Sequence, residues 1–317
     1  MDNNNMYPQQ NPGYQDQPYQ GQPYQQPYQQ PMGQPYQQPF PGQNMGYPQQ
    51  PQGNADYIPY QPQQAQPAFD YNTLRRAPQG VIPTGNVVEI SHVRKGYGKG
   101  KVVYQDLNLN IPAGKIVGLL GPNGSGKTTL IKMLAGLLEP EAGTISIAGL
   151  PVGHRSKGVV SYLPERTYFN EALKVKTVIN MFKDFYADFD EAHAYRMTQQ
   201  LRIDPNAVIK TLSKGNKEKV QLIMVMSRHA RLYLLDEPIA GVDPAARDFI
   251  LRTILSNYDS AGTIVISTHL IQDIEGILDD VIMVRQGQIV VHQPADMLRQ
   301  SQGKSIDEIF REVFRYV

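Results

Sequence analysis

From Val81 onward, apolar positions alternate between short β-branched runs and longer stretches with helical spacing. The runs predict strands at Val87–Ser91, Ile116–Leu120, Thr144–Ile147, Val159–Leu163, Leu232–Leu235, Thr263–Ser267, Val281–Val284 and Gln288–Val291. Several have no polar alternate, so neither face of the sheet can be wet, and helices must cover both sides. The expected fold is an α/β layered domain. Val178, Met181, Phe182, Phe185 and Phe189 fall on one apolar helical face, read as internal core. Ser305 and Glu308 have the spacing of a capping box ahead of Ile306, Ile309, Phe310, Val313 and Phe314, which predicts a docked terminal helix.

Residues 1–80 carry none of this patterning. They hold 15 of the 25 prolines and 10 of the 19 tyrosines, but only six of the 59 charged residues. With so little aliphatic side chain to offset its ordering entropy, this stretch is expected to be a disordered Pro/Gln/Tyr-rich tail, a solvated tether. Pro23, Pro27, Pro31, Pro35 and Pro39 recur every four residues, which walks them around a three-residue polyproline II turn instead of aligning them on one face. A self-associating or partner-docking segment stays open as the other reading. The expected division is a tail over 1–80 and one folded domain over 81–317. No stretch approaches the ~20 apolar residues of a membrane span, and Met1–Asn5 lacks the basic head of a secretory signal. A cytoplasmic protein is expected.

The chain has no cysteine, which removes disulfides, Cys-ligated zinc and thiol nucleophiles. A formal net charge of +1, with 28 basic and 25 acidic residues after position 80, is too even for a nucleic-acid surface, and no nucleic-acid partner is expected.

Gly121-Pro122-Asn123-Gly124-Ser125-Gly126-Lys127-Thr128-Thr129 follows one predicted strand and precedes a helical pattern. A Gly-x4-Gly-Lys string followed by Ser or Thr arises by chance about 0.01 times in a chain of this length. In this context the glycines let backbone N–H groups turn inward around a phosphate at a helix N-terminus. Lys127 is expected to reach the β- and γ-phosphates, and the Thr128 hydroxyl to sit on Mg²⁺. Leu232–Leu235 then ends in Asp236 and Glu237, the first placed to hold magnesium and the second to polarise an attacking water.

With these motifs the chain resembles an ABC-type ATPase subunit over about residues 85–317. Gly121–Thr129 is similar to the Walker A segment and Leu232–Glu237 to Walker B with its catalytic glutamate. Ile239–Pro244 resembles the D-loop, with Asp243 its key acid, and Ser267–Leu270 the switch segment, whose His269 senses the γ-phosphate. Tyr97 resembles the aromatic residue that stacks on adenine. Leu212-Ser213-Lys214-Gly215-Asn216 stands where the family has Leu-Ser-Gly-Gly-Gln, and Glu165 where it has a glutamine reaching the magnesium. Ser213 and Gly215 keep the parts that touch phosphate, whereas Lys214 and Asn216 depart from the pattern. The resemblance implies a P-loop ABC-type nucleotide-binding domain with a small helical subdomain at about 166–215. It also implies ATP and Mg²⁺ as ligands, and a head-to-tail homodimer or heterodimer. The implied partner is a separate transmembrane permease of the exporter type, with the chain peripheral on the inner face of the membrane. A non-transport soluble ABC ATPase, or a regulatory module with weakened hydrolysis, remain as alternatives.

Overall fold

The structure, a computed structural model, describes residues 84–98 and 100–315. The expected tail lies outside the described residues. The strands are β1 (Asn86–Tyr97), β2 (Lys101–Pro112), β3 (Ile116–Leu120), β4 (Ala142–Ile147), β5 (Leu150–Pro151), β6 (Val160–Leu163), β7 (Leu232–Asp236), β8 (Thr263–Thr268), β9 (Asp280–Arg285) and β10 (Gln288–Pro294). The helices are α1 (Lys127–Leu134), α2 (His154–Lys157), α3 (Val175–Phe185), α4 (Glu191–Gln200), α5 (Lys214–Met226), α6 (Pro244–Asn257), α7 (Ile271–Ile274), α8 (Ala295–Gln302) and α9 (Ile306–Val313). They form the mixed α/β fold expected from the chain's patterning.

The strands make two sheets. One has the order β10-β9-β3-β8-β7-β6, parallel except for the β10 edge, and the other the antiparallel order β2-β1-β4-β5. Every residue of β3, β7 and β8 is buried, yet side chains still alternate between faces. Ile116, Leu120, Tyr233, Leu235, Ile264, Ile266, Val281 and Met283 join a core shared with α5 and the later helices. Val117, Leu119, Leu232, Leu234, Val265, Ile282 and Val284 join a second core, with α1 and the antiparallel sheet. An unbroken apolar run is therefore two interleaved half-cores, one on each side of the sheet.

Because β3, β6, β7 and β8 run parallel, their C-terminal ends share one edge, where ligands of open α/β sheets bind. That edge brings together Gly121, Glu165, Asp236 and His269, which end these strands or follow them within two residues.

Three features differ from the sequence reading. β2 and β5 were not expected, although Leu107, Leu109 and Ile111 alternate inward with polar neighbours along β2. The face through Val178 is divided: Val178 is buried and Phe182 packs against the core, whereas Met181 and Phe185 are exposed and Phe189 lies beyond α3. A 3.6-residue period has room for an inward stripe and a flanking outward one, and apolar side chains occupy both here.

Ser305 caps α9 in both directions. The Glu308 N–H donates to Ser305 Oγ at 3.1 Å, and the Ser305 N–H donates to Glu308 Oε2 at 2.8 Å. Those hydrogen bonds hold the Glu308 carboxyl below the usual carboxylate range. Ser305→Ala is expected to lower unfolding stability by about 1 kcal/mol, read by urea denaturation with an unchanged m-value.

Candidate functional site

Helix α1 begins directly at Lys127, so the N–H groups of its first turn have no partners within the helix and open onto the preceding loop. Gly124 and Gly126 have φ of +80° and +118°, which lets the backbone coil there without a Cβ penalty. A side chain at Gly126 would also meet the Tyr104 hydroxyl, which lies 2.7 Å from the Cβ position. From the β9–β10 turn, the Gly287 N–H donates to Ser125 O at 3.0 Å and holds the loop from behind.

Lys127 is buried, and its ammonium donates to Gly121 O at 2.7 Å and Pro122 O at 3.3 Å. Its Nζ lies 3.8 Å from Glu237 Oε1. Asp236, the last residue of β7, is 1% exposed. Its Oδ1 accepts from Ser267 Oγ at 2.7 Å and from Thr128 Oγ1 at 3.2 Å, so P-loop, β7 and β8 meet at one carboxylate. Glu237 adopts φ +50°, uncommon for a residue with a Cβ. Its N–H donates to Ser267 O at 3.0 Å and Ser267 Oγ at 3.1 Å, which fixes that turn. On the other side, His269 Nδ1 is 3.1 Å from Glu237 Oε2.

Tyr97 sits at the tip of the β1–β2 hairpin, partly exposed, with its hydroxyl 3.2 Å from Thr129 Oγ1. A cavity of about 390 Å³ is lined by Tyr97, Lys101, Val103, Asn123, Gly124, Gly126, Lys127, Thr128, Thr129, Glu165, Glu237, Ala240 and His269. Gly121 and Ser125 form the base of the same loop, where Ser125 Oγ is buried with no hydrogen-bond partner. Ser213, Gly215 and Asp243 do not line this cavity. Ser213 caps α5, accepting from Asn216 N at 3.3 Å, and Asp243 caps α6, accepting from Ala246 N at 3.0 Å. Gly215 and Asp243 line a neighbouring cavity of about 330 Å³, with Glu165 and Glu237 on the wall between the two.

Sequence reading did not single out Ser267 as a site residue, nor Lys101, Val103, Tyr104 and Gly287. Lys101, Val103 and Tyr104 lie on the strand that was not expected. Ser267 opens the switch segment, but its place beside Asp236 emerges only from the pairing of β7 with β8.

The donor set fits a magnesium nucleotide. Thr128 Oγ1 and Asp236 Oδ1 are adjacent hard oxygens, and the orphaned Ser125 hydroxyl and the α1 N-terminus suit phosphate oxygens. Among the described residues no cluster of three or more His, Cys, Asp or Glu could enclose a metal. One carboxylate and one hydroxyl is what a magnesium shared with phosphates requires.

The family model for ABC transporters matches residues 104–240. Over 227 residues the chain is 30% identical to the lipopolysaccharide export system ATP-binding protein LptB of Escherichia coli K12, covering 68% of this chain and 94% of that protein. It is also 30% identical over 224 residues to the ABC transporter ATP-binding protein YhaQ of Bacillus subtilis 168, covering 69% and 74% respectively. The chain belongs to the ABC transporter ATP-binding family. It is an ATPase of the transporter class. A solved structure of an ATP-binding subunit of an ABC transporter superposes with a TM-score of 0.64 at 28% identity, over 71% of this chain and 98% of that one. A bacterial Atm1-family ABC exporter with ATP bound has a TM-score of 0.60 at 19% identity, covering 75% of this chain and 43% of that one, a likeness of fold.

Measured against this family, Lys214 opens α5 with an exposed side chain, 3.9 Å from Glu218. Glu165 lines the cavity at the Gly121–Thr129 loop, where its charge helps raise the Asp236 carboxyl.

Burial pushes Asp236 above the usual carboxylate range, with smaller contributions from Glu237 and Glu165. Burial also lowers the Lys127 ammonium, opposed by Glu237 and Asp236. A carboxyl raised in the folded state costs no stability below its unfolded pKa, and its full cost appears only above the folded one. Asp236→Asn is therefore expected to melt above the wild type at pH 8, with the gain shrinking toward pH 4, in thermal unfolding followed across that range.

Proposed function

We propose that this chain binds ATP with Mg²⁺ at the Gly121–Thr129 loop, hydrolyses it within a dimer, and drives a separate membrane permease. The observation that carries the reading is the shared Asp236 carboxylate. It draws the Thr128 hydroxyl of the P-loop and Ser267 of β8 onto one oxygen, beside a Glu237 restrained by His269.

In this mechanism the P-loop amides and Lys127 hold the phosphates, and Tyr97 stacks on adenine. Thr128 and Asp236 would hold magnesium, which would supply charge neutralisation at the phosphates. Glu165, on the same cavity, would be a further oxygen donor toward that ion. Glu237 takes the proton of the attacking water, and His269 keeps that carboxylate aimed while contacting the γ-phosphate. Ser213, Gly215 and Asp243 lie outside this chain's own P-loop cavity, which supports their serving the nucleotide of a second, head-to-tail ATPase subunit, identical or similar.

The permease surface is assigned to the groove beside α3, lined by Leu137, Tyr168, Phe182, Tyr186 and Arg228. Leu137 and Tyr168 are exposed there, as are Met181 and Phe185 on α3 itself. Among the described residues, no helix is long and apolar enough to cross a membrane. The chain is accordingly assigned to the cytoplasmic face, held there by its permease. The relatives named for lipopolysaccharide export favour export, and the cargo is set by the permease.

Lys127→Ala is expected to abolish the thermal stabilisation given by Mg–ATP, which at a hundredfold excess over Kd amounts to about 2.7 kcal/mol for the wild type. Glu237→Gln should keep that stabilisation and lose about 10²- to 10⁴-fold in turnover, measured by phosphate release. Unchanged turnover in Glu237→Gln would refute the mechanism. Glu165→Gln removes a negative charge beside the phosphates, and turnover should rise in the same assay.

A further inference from the structure

Two backbone spans leave the reacting centre, and neither is held by regular structure. One runs from Glu237 through Ala240, whose N–H donates to Glu237 O at 3.2 Å, and Gly241 at φ +72°, to the cap of α6 at Asp243. The other runs from His269 into α7, a helix of four residues with too few hydrogen bonds to hold itself. The near ends of the two spans touch where His269 meets Glu237. Their far ends meet at one side chain. Arg247, one turn into α6, donates from Nε to Val242 O at 3.1 Å and from Nη1 to Asp273 Oδ2 at 3.0 Å.

The contacts close a ring: Glu237, the 238–242 loop, Arg247, Asp273, the 270–272 segment, His269, and back to Glu237. We propose that Arg247 is a positioning residue for ATP turnover, holding Glu237 and His269 in register by bridging the Val242 carbonyl and the Asp273 carboxylate. The inference rests on the ATPase reading of the site and adds to it a residue that touches neither nucleotide nor metal. A planar guanidinium presents Nε and Nη1 in a fixed fork, so the two acceptors are set relative to each other; a lysine has one nitrogen and no fork. Arg247 and Asp273 are about a quarter to a third exposed, so losing the pair leaves no deeply buried charge. α7 keeps its other anchors, the buried Ile271 and Ile274, and the bond from Gln272 Nε2 to Asp307 Oδ2 at 2.9 Å. The effect should therefore fall on geometry at the reacting centre more than on the fold.

The test is steady-state ATP turnover of the full chain beside Arg247→Met, Arg247→Lys, Asp273→Asn and the Arg247→Met/Asp273→Asn double variant. Arg247→Met is expected to lose about tenfold in kcat with KM for ATP within about twofold, a loss confined to the chemical step. Its melting temperature should stay within about 2 °C of the wild type. Arg247→Lys should not restore the rate, and the double variant should be no slower than Arg247→Met, as expected for two residues of one bridge. Wild-type kcat in Arg247→Met overturns the inference, as does full activity in Arg247→Lys. A fall in kcat accompanied by higher KM and a lower melting temperature also overturns it, in favour of a folding role. A wild-type chain without turnover overturns the ATPase reading and this inference together, whereas wild-type turnover with an unaffected Arg247→Met removes the inference alone.

Discussion

Two opposite charges lie under the phosphate loop without touching each other. Asp236 is almost completely buried and spends its Oδ1 on two hydroxyls, while Lys127, nearly as buried, spends its ammonium on two backbone carbonyls. Asp236 is met by hydroxyl donors and Lys127 by two carbonyls, with Glu237 3.8 Å from its ammonium, which compensates desolvation only in part, and burial pushes both toward their neutral forms. On the function proposed above, a ligand bearing phosphate and a divalent cation would add counter-charge to both.

Everything that places those two charges follows from the parallel sheet. A parallel strand must return by a crossover, so motif residues more than a hundred positions apart in the chain arrive at the same edge. The full burial of β3, β7 and β8 fixes each strand to its neighbours, since a slip of one residue would exchange the two half-cores. Arg228 makes a comparable connection for the helical part. It reaches the Val160 and Gly158 carbonyls at 2.8 Å, pairs with Asp188, and lies 3.7 Å from the Tyr186 ring centroid. That joins the start of β6, whose far end carries Glu165, to the groove assigned to the permease.

Much of this was legible in the chain. The phosphate loop, Asp236 and Glu237 announce themselves through spacing, because their chemistry needs given residue types at given intervals, and the central strands through unbroken apolar runs. What stayed hidden depends on contacts between distant segments. Ser267 is only the first residue of the switch segment until β8 pairs with β7, and Arg228 is an ordinary arginine until the 158–160 carbonyls and the Asp188 carboxylate close around it. The β2 strand was hidden differently: Leu107, Leu109 and Ile111 alternate clearly, but polar Asp106, Asn108 and Asn110 between them dilute the local hydrophobicity. The outward Met181 and Phe185 show the opposite difficulty, since helical periodicity reports that a face is apolar and not what covers it.

Gly287 joins both sheets at a single point. Its amide grips the Ser125 carbonyl, and the place a side chain would fill is already taken by the Val103 carbonyl, 1.6 Å away. β2, which lines the cavity with Lys101 and Val103, and the Gly121–Thr129 loop thus both rest against one residue. A side chain at position 287 would therefore displace β2 and the Gly121–Thr129 loop together.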